Sequence, residues 1–134
     1  MTVKMKSLKY FIPFILIATV YAGALIDYFN ARSENEDIRL EWRTSEETSL
    51  AKFVIERKTP QSTFAEIQTI EPKGSNSVYV YYDRNAYKSN DLLFIYRLKI
   101  VDINGMVSVS AETTVSHNVS GVKRTWGSIK AMFR

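Results

Sequence analysis

The chain contains no cysteine among its 134 residues. This absence excludes a disulfide framework, a thiolate nucleophile and a cysteine-based metal site. It also excludes lipoprotein processing, which needs a cysteine directly after the leader. Exported bacterial proteins often lack cysteine, so the absence does not indicate a cytoplasmic location.

Histidine is almost as scarce, since His117 is the only one. It follows the last predicted strand, and no nearby carboxylate would orient it for proton transfer. We therefore expect a surface or edge residue with no catalytic or metal-binding role. A glycine-rich phosphate loop and a pair of catalytic carboxylates are also missing. The sequence predicts a protein that is not an enzyme and binds no cofactor.

Short acidic groups are the remaining candidates for metal ligands. Glu34, Glu36 and Asp37 form one group, and Glu46 with Glu47 forms another. Both lie on predicted loops, so we interpret them as solvated side chains, with a loop-borne calcium site as the alternative. The segment 102–105 lacks the further oxygen ligands and the terminal Glu of a calcium loop, so it is interpreted as a turn.

Positive charge is concentrated at the two ends of the chain. The net charge is +4, but between residues 25 and 120 there are 11 Lys and Arg against 14 Asp and Glu, a net of −3. A nucleic-acid-binding protein would carry its basic residues on the folded domain. Nucleic acid is therefore excluded as a predicted partner.

Residues 1–24 resemble a targeting segment. Lys4, Lys6 and Lys9 precede an uncharged run of 17 residues, from Tyr10 to Ile26. Small residues suited to signal peptidase occur at 22–24 and at 20–22. The run is also at the lower limit for a spanning helix, and the lysines ahead of it satisfy the positive-inside rule. We expect a hydrophobic helix, either a cleaved signal peptide or a retained anchor. A buried core helix is disfavoured because the run lacks amphipathic periodicity.

The segment 94–110 contains the strongest hairpin signal. Tyr96, Leu98 and Ile100 alternate on one face of a strand, and Val107 and Val109 repeat the alternation beyond Asn104-Gly105. Asn-Gly tolerates the positive φ angles of a two-residue turn. We therefore predict a tight hairpin here.

Five further strands precede this hairpin, with turn signals between them. The predicted strands are 26–31, a strand with inward Ile38, Leu40 and Trp42, 50–58 with inward Phe53 and Ile55, an irregular edge element with Phe64, Ile67 and Ile70, and 78–83. Residues 44–49 are predicted as a polar loop. Seven short strands without intervening helices are typical of an antiparallel immunoglobulin-like sandwich.

Residues 26–117 resemble a fibronectin type III domain. The segment IRLEW is similar to the family's strand with its core tryptophan, here Trp42, and FVIERK is similar to the next strand. YVYYD followed by IYRLKIVDINGMVSVS is the most specific part, and it resembles single modules of exported bacterial surface proteins. The resemblance implies that Tyr96 is the core tyrosine of the sixth strand. No Arg-Gly-Asp follows that strand, so integrin-type recognition is not implied.

Eight tyrosines make this residue unusually frequent. Tyr79 and Tyr81 share one face of the fifth predicted strand, and Tyr82 points to the other face. We interpret this set as core plus a tyrosine corner on the first face. The alternative is that Tyr82 and Tyr87 form an exposed aromatic patch that contacts a protein or a glycan.

The C-terminal segment, residues 118–134, carries the main binding prediction. Val122, Trp126, Ile129 and Phe133 repeat at helical spacing, and basic residues lie largely off that face. We therefore predict a short amphipathic helix that contacts a protein partner or an anionic membrane through Val122, Lys123, Arg124, Trp126, Ile129, Lys130, Phe133 and Arg134. A disordered end or a helix folded back on the sandwich is the alternative.

The predicted organisation is thus a leader or anchor at 1–24, a sandwich at 25–117 and a basic tail at 118–134. We expect a non-catalytic binding or structural module that is periplasmic, on the cell surface or secreted. One alternative is an accessory subunit of a membrane complex held by an uncleaved N-terminal helix. A calcium- or glycan-binding accessory module is the other.

Overall fold

The computed structural model describes residues 23–86 and 92–117, which form a sandwich of two β-sheets. Eight strands occur in this part of the chain, one more than expected. They are β1 (Gly23–Glu34), β2 (Asp37–Thr48), β3 (Leu50–Lys58), β4 (Ala65–Ile70), β5 (Val78–Asp83), β6 (Leu93–Asp102), β7 (Val107–Val109) and β8 (Thr113–Ser116).

One sheet has the strand order β1-β2-β5, and the other has the order β4-β3-β6-β7, with β8 also paired to β6. All six strand pairings are antiparallel. The predicted antiparallel two-sheet fold is therefore confirmed.

The additional strand comes from an interruption of the last strand of the sandwich. β7 pairs with residues 99–101 of β6, and β8 pairs with residues 93–96 of the same strand. Between them, Ser110 donates its backbone N–H to the carbonyl of Leu98 at 2.8 Å, and its Oγ accepts the Leu98 N–H at 2.8 Å. A side-chain hydroxyl thus replaces one ladder acceptor, and the strand divides at this point.

The core lies between the sheets and is built around Trp42, which is fully buried. Its ring stacks on Tyr79 with centroids 5.0 Å apart and meets Phe53 edge-on at 5.8 Å. Phe29 also contacts the Trp42 ring edge-on, with the ring centroids 6.2 Å apart. The predicted inward positions of β2, β3 and β6 are all buried, namely Ile38, Leu40, Phe53, Ile55, Tyr96, Leu98 and Ile100.

β3 has the predicted bounds, but burial extends to both of its faces. Val54 and Glu56 point away from the core and are nevertheless only 3% and 8% exposed. The strand lies between β4 and β6, and Arg97 Nε of β6 donates to Glu56 Oε1 at 2.9 Å. Long side chains of neighbouring strands therefore cover this outer face.

The first two strands are longer than predicted. β1 extends beyond 26–31 in both directions, and β2 continues to Thr48, so the expected loop at 44–49 is wrong. Register shifts occur in β1 beside Ile26. Thr44 is buried, and its N–H donates to the Ser77 carbonyl at 2.9 Å. β1 pairs with this segment as far as Thr48, so backbone pairing keeps these polar residues in the sheet.

The β6–β7 hairpin exists, but its turn differs from the expected two-residue type. Asp102 N–H donates to the Met106 carbonyl at 3.0 Å, which leaves three residues in the loop. Gly105 has φ of +84°, whereas Asn104 is not in the positive-φ region. Asp102 Oδ1 accepts the N–H groups of Asn104 and Met106 at 2.9 and 2.8 Å. The Asp102 carbonyl accepts the Gly105 N–H at 3.1 Å, so the loop is a hydrogen-bonded turn that ends in a left-handed glycine and is held by the Asp102 carboxylate.

The two predicted helices, in 1–24 and 118–134, fall on residues outside the described ranges, apart from Gly23 and Ala24 in β1. Across 23–86 and 92–117, the structure contains no helix with the length and apolar character needed to cross a bilayer.

Candidate functional site

The most buried charged group of the sandwich is the carboxylate of Asp83 at the end of β5, which is 2% exposed. Its Oδ2 accepts Arg57 Nη1 at 2.5 Å and the Tyr96 hydroxyl at 2.6 Å. Burial, and then the hydrogen bond to Asp83, raise the pKa of Tyr96 well above its ordinary value. The cluster joins both sheets and is satisfied internally, so we assign it a structural role.

A second polar cluster forms around Glu47, near the other end of the sandwich. Its carboxylate accepts the Tyr79 hydroxyl, the Gly74 N–H at 2.6 Å and the Thr44 hydroxyl at 3.1 Å. Burial and the bond to Glu47 raise the pKa of Tyr79 above its usual range. The interpretation of Glu47 as a solvated loop residue is therefore wrong, because this carboxylate holds the loop 71–77 against β2.

His117 is buried, with only 1% exposure, which corrects the expectation of a surface residue. Its Nε2 lies 3.0 Å from the Glu36 carbonyl, which can only accept, so this nitrogen carries the proton. Its Nδ1 then accepts the Ser33 hydroxyl at 2.6 Å. Phe94 contacts the ring edge-on at 6.4 Å. The imidazole thus fastens the end of β8 to the β1–β2 turn.

The Ser33–His117 pair resembles part of a nucleophilic site, but its geometry favours structure over catalysis. In a catalytic triad a buried carboxylate orients the imidazole and stabilises the imidazolium that forms. Here the orienting group is a backbone carbonyl, which carries no full charge. We therefore interpret the pair as a structural contact, and the absence of enzymatic activity stays a prediction.

Metal binding finds no support in the described residues. No group of three or more His, Asp or Glu side chains there is arranged to hold a metal ion. Asp102 is 6% exposed, and its Oδ1 already accepts two backbone N–H groups of the hairpin turn. The interpretation of 102–105 as a turn is confirmed.

The binding residues predicted from the tail lie outside the described ranges, and so does Tyr87 of the aromatic patch. Tyr82 is within them and is half-buried on the outer face of β5. It lies opposite Arg39 of β2 and, after Glu41, contributes to the raised pKa of that arginine. The patch and the tail contact therefore stay predictions.

An open groove separates β1 from β7 on one side of the sandwich. Its volume is about 550 Å³. Small side chains and the aromatic rings of β1 line it, among them Ala24, Ile26, Phe29, Ser108, Ser110 and Ala111. Asp27 supplies its one charged side chain, which pairs with Arg43 at 3.7 Å. The groove therefore lacks the converging polar groups that orient a small ligand.

An apolar surface at the end of the β6–β7 hairpin was not predicted from the sequence. Ile103, Met106 and Val107, which we call the hairpin tip, are 67%, 60% and 53% exposed. Val109 on β7 is 53% exposed as well. One signal was available, because residues 103–111 contain no charged side chain. Exposed apolar residues that cluster are more informative than single ones.

The hairpin tip lies beside the point where the first described residue enters the fold. Gly23 pairs with Thr48 of β2, and the next residue, Ser49, accepts the Ile103 N–H at 2.8 Å. A Cβ added to Gly23 would lie 2.9 Å from Ile100 Cγ2 and 3.8 Å from Asp102 Cβ. Gly23, the first described residue, therefore lies next to the base of the hairpin.

Comparison with known structures identifies the architecture. A Fn3-like protein from Clostridium thermocellum aligns with 73% of this chain and 96% of its own, at 18% identity and a TM-score of 0.52. The fold is fibronectin type III-like. The pectate lyase PelI from Erwinia chrysanthemi, solved in complex with tetragalacturonic acid, aligns at 17% identity and a TM-score of 0.52. That match covers 69% of this chain but 28% of the lyase.

These likenesses concern the fold alone. No protein-family model matches the chain, and no curated protein matches it. The same sandwich supports many unrelated tasks, so function has to be argued from the surfaces of this chain.

Proposed function

We propose that this chain is a non-catalytic module of the bacterial cell envelope. In this proposal the fibronectin type III-like sandwich separates an N-terminal membrane-directed segment from a C-terminal segment that contacts a protein partner. The observation that carries the proposal is the position of the two chain ends of the sandwich. They lie at opposite ends of its long axis.

The length of strand β6 gives the distance between the two chain ends of the sandwich. Its last residue, Asp102, lies near Gly23, while its first residue, Leu93, pairs with Ser116 of β8. His117 N–H donates to the Leu92 carbonyl at 2.7 Å, so the last described residue is also at that end. Ten strand residues at about 3.3 Å each place the two ends roughly 30 Å apart.

If the tail forms the predicted helix, its 17 residues extend about 26 Å, which is less than this separation, so a protein partner is favoured over the membrane as its target. If residues 1–22 are held in a bilayer, the sandwich stands on its Gly23 end, and residues 118–134 start from the distal end. A protein that approaches from outside the membrane meets the tail first. Trp126 and Phe133 would supply the apolar anchors of that contact, since aromatic residues dominate such interfaces.

The start of β1 bears on how the N-terminal segment is processed. Cleavage after Ala24 would remove Gly23 and Ala24, which are buried in the β1 end of the sandwich. Cleavage after Ala22 would leave the strand complete, so the segment 20–22 is the better site of the two. In the retained form, the same boundary places the sandwich directly at the membrane surface.

The retained form is our first choice because the apolar hairpin tip lies at the end where the N-terminal segment enters. The cleaved form, a secreted or surface module that begins at Gly23, is the second candidate. The start of β1 directly after Val20-Tyr21-Ala22 favours this candidate. A calcium- or glycan-binding role is not favoured by any arrangement among the described residues.

The mature N-terminus distinguishes the two forms. The full chain would be expressed in a bacterial host with a C-terminal affinity tag, and the protein from membranes and from the medium would be sequenced from its N-terminus. Intact residues 1–22 in the membrane fraction support the retained form. A chain that starts at Gly23 and is found outside the membrane supports the secreted module. Intact protein that stays in the cytoplasm would contradict the proposed location.

The tail is tested by variants of the full chain in the organism that produces it. On native gels of solubilised envelopes, the wild-type chain should migrate in a complex of higher mass with its partner. We expect Trp126→Ala to abolish this complex. Lys123→Glu combined with Arg124→Glu serves as the electrostatic comparison. If the purified sandwich with its tail binds anionic vesicles and the charge-reversed variant does not, the tail contacts lipid and the proposed protein partner is wrong.

A further inference from the structure

The boundary at Gly23 shortens the apolar run that is available to a membrane. Residues 23–26 belong to β1, so the uncharged run ahead of the sandwich comprises residues 10–22, which is 13 residues instead of 17. As a helix, 13 residues would extend about 20 Å, whereas the hydrocarbon core of a bilayer is about 30 Å thick. A retained segment of this length is shorter than the hydrocarbon core, so the bilayer would thin around it.

No spacer separates this run from the folded domain. Gly23 is buried and packs against Ile100 and Leu50. Its φ of +91° and the 2.9 Å approach of Ile100 Cγ2 leave no room for a side chain, so the entry point is fixed on the sandwich. An N-terminal segment inserted in a bilayer would therefore draw this end of the domain against the lipid headgroups.

The hairpin at this end is suited to such a position. The hairpin tip presents Ile103, Met106 and Val107 with more than half of each side chain exposed. Residues 103–111 carry no charge, and the nearby Asp102 is buried with Oδ1 satisfied by backbone N–H groups. Insertion of the tip would therefore bury apolar surface without desolvating a free charge of the hairpin.

From this geometry we propose that the hairpin tip inserts into the interfacial layer of the bilayer beside the N-terminal segment. A span that is shorter than its membrane is accommodated by local thinning of the bilayer, which brings the headgroups toward the adjoining end of the domain and its exposed apolar tip. The inference depends on the retained form of the proposed function. The inserted hairpin tip is a second membrane contact beside the N-terminal segment. Two contacts at one end hold the sandwich with its β8 end away from the membrane.

Because the chain contains no cysteine, a single introduced cysteine can be labelled specifically. The full chain would carry Met106→Cys labelled with an environment-sensitive fluorophore and would be reconstituted into vesicles of phosphatidylethanolamine and phosphatidylglycerol. Leu92→Cys is the matched control, because Leu92 is 48% exposed at the opposite end of β6. Flotation of the vesicles on a density gradient reports whether the chain is attached at all.

We expect the labelled chain to float with the vesicles and the fluorophore at position 106 to brighten several-fold. Lipids that carry a quencher in the upper acyl chain should then quench position 106 but not position 92. If the chain floats while the label at 106 stays in water, the anchor is real and the inserted hairpin is wrong. If the chain does not float, the retained anchor fails and the inference fails with it.

The alternative is that the hairpin tip docks into a groove on a protein, and the same variants test this. Shielding of position 106 in native envelopes, combined with full exposure in protein-free vesicles, would show that a protein covers the tip and would overturn the lipid contact. Met106→Glu provides a second measure in the full chain. It should reduce quenching of a label at Val107→Cys, whereas Leu92→Glu should leave that quenching unchanged.

Discussion

The buried carboxylate of Asp83 allows a quantitative test of how the two sheets are joined. It accepts the Tyr96 hydroxyl of the opposite sheet at 2.6 Å and Arg57 Nη1 at 2.5 Å. The hydroxyl lies on a side chain with no solvent exposure, so water cannot replace a lost partner there. Each bond to the carboxylate is charge-assisted and should contribute about 1.5–3 kcal/mol.

Removal of the Tyr96 hydroxyl and removal of the Asp83 carboxylate should lower the free energy of unfolding by different amounts. Tyr96→Phe deletes one donor and creates almost no cavity, so we expect a loss of about 2 kcal/mol in the free energy of unfolding. Asp83→Ala leaves a buried hydroxyl and a guanidinium without their acceptor, which corresponds to about 3–5 kcal/mol. The lower part of that range applies because the Arg57 side chain is 25% exposed and is partly hydrated.

A double-mutant cycle measured by urea unfolding isolates the Tyr96–Asp83 bond. The double variant should be less destabilised than the sum of the single variants, with a coupling free energy of about 1–2 kcal/mol. Tyr81→Phe is the control, because the Tyr81 hydroxyl has no hydrogen bond within the described residues and its loss should cost less than about 0.5 kcal/mol. Additive single variants, within about 0.5 kcal/mol, would refute the bond and the proposed joining of the sheets.

Three further predictions concern the core, the buried histidine and alkaline pH. Trp42→Ala should cost about 3–5 kcal/mol by urea unfolding, since its ring contacts three other rings, and an unchanged midpoint would contradict the sandwich register. His117→Ala should cost about 1–3 kcal/mol by thermal unfolding, and more than Ser33→Ala, because it removes both side-chain hydrogen bonds. Tyr79 and Tyr96 have folded-state pKa values above the unfolded value of about 10, so their contribution to stability is complete below that pH and is lost as pH rises above it. Denaturant unfolding at increasing pH should show this decline, and flat stability well above pH 10 would show that the two hydroxyls are hydrated.

Local sequence patterns were sufficient for the parts of the fold that depend on alternation. Ile38, Leu40 and Trp42 are inward because a strand places every second side chain on one face, and the apolar set must face the core. The bounds of β3 and β5 followed from the same pattern and from flanking turn residues. No tertiary information was needed for these strands.

Other features depend on partners that are distant in the chain. Glu47 is ordered by Tyr79 and Gly74, and its segment continues β2 because β1 pairs along its whole length. His117 is buried because Ser33 and Glu36, about eighty positions earlier, meet it across the β1–β2 turn. No local signal marks such contacts, so a lone histidine was expected at the surface.

The sequence by itself determined the sheet class, the inward positions, the absence of cysteine chemistry and the apolar, lysine-flanked N-terminal run. These properties follow from residue types and their period, which act over a few neighbouring residues. Only the tertiary structure decided that Gly23 already belongs to β1, that the hairpin tip lies beside it, and that the last described residue lies at the far end. Those relations depend on strand pairing between distant segments, which sets where each chain end and each exposed side chain stands in space.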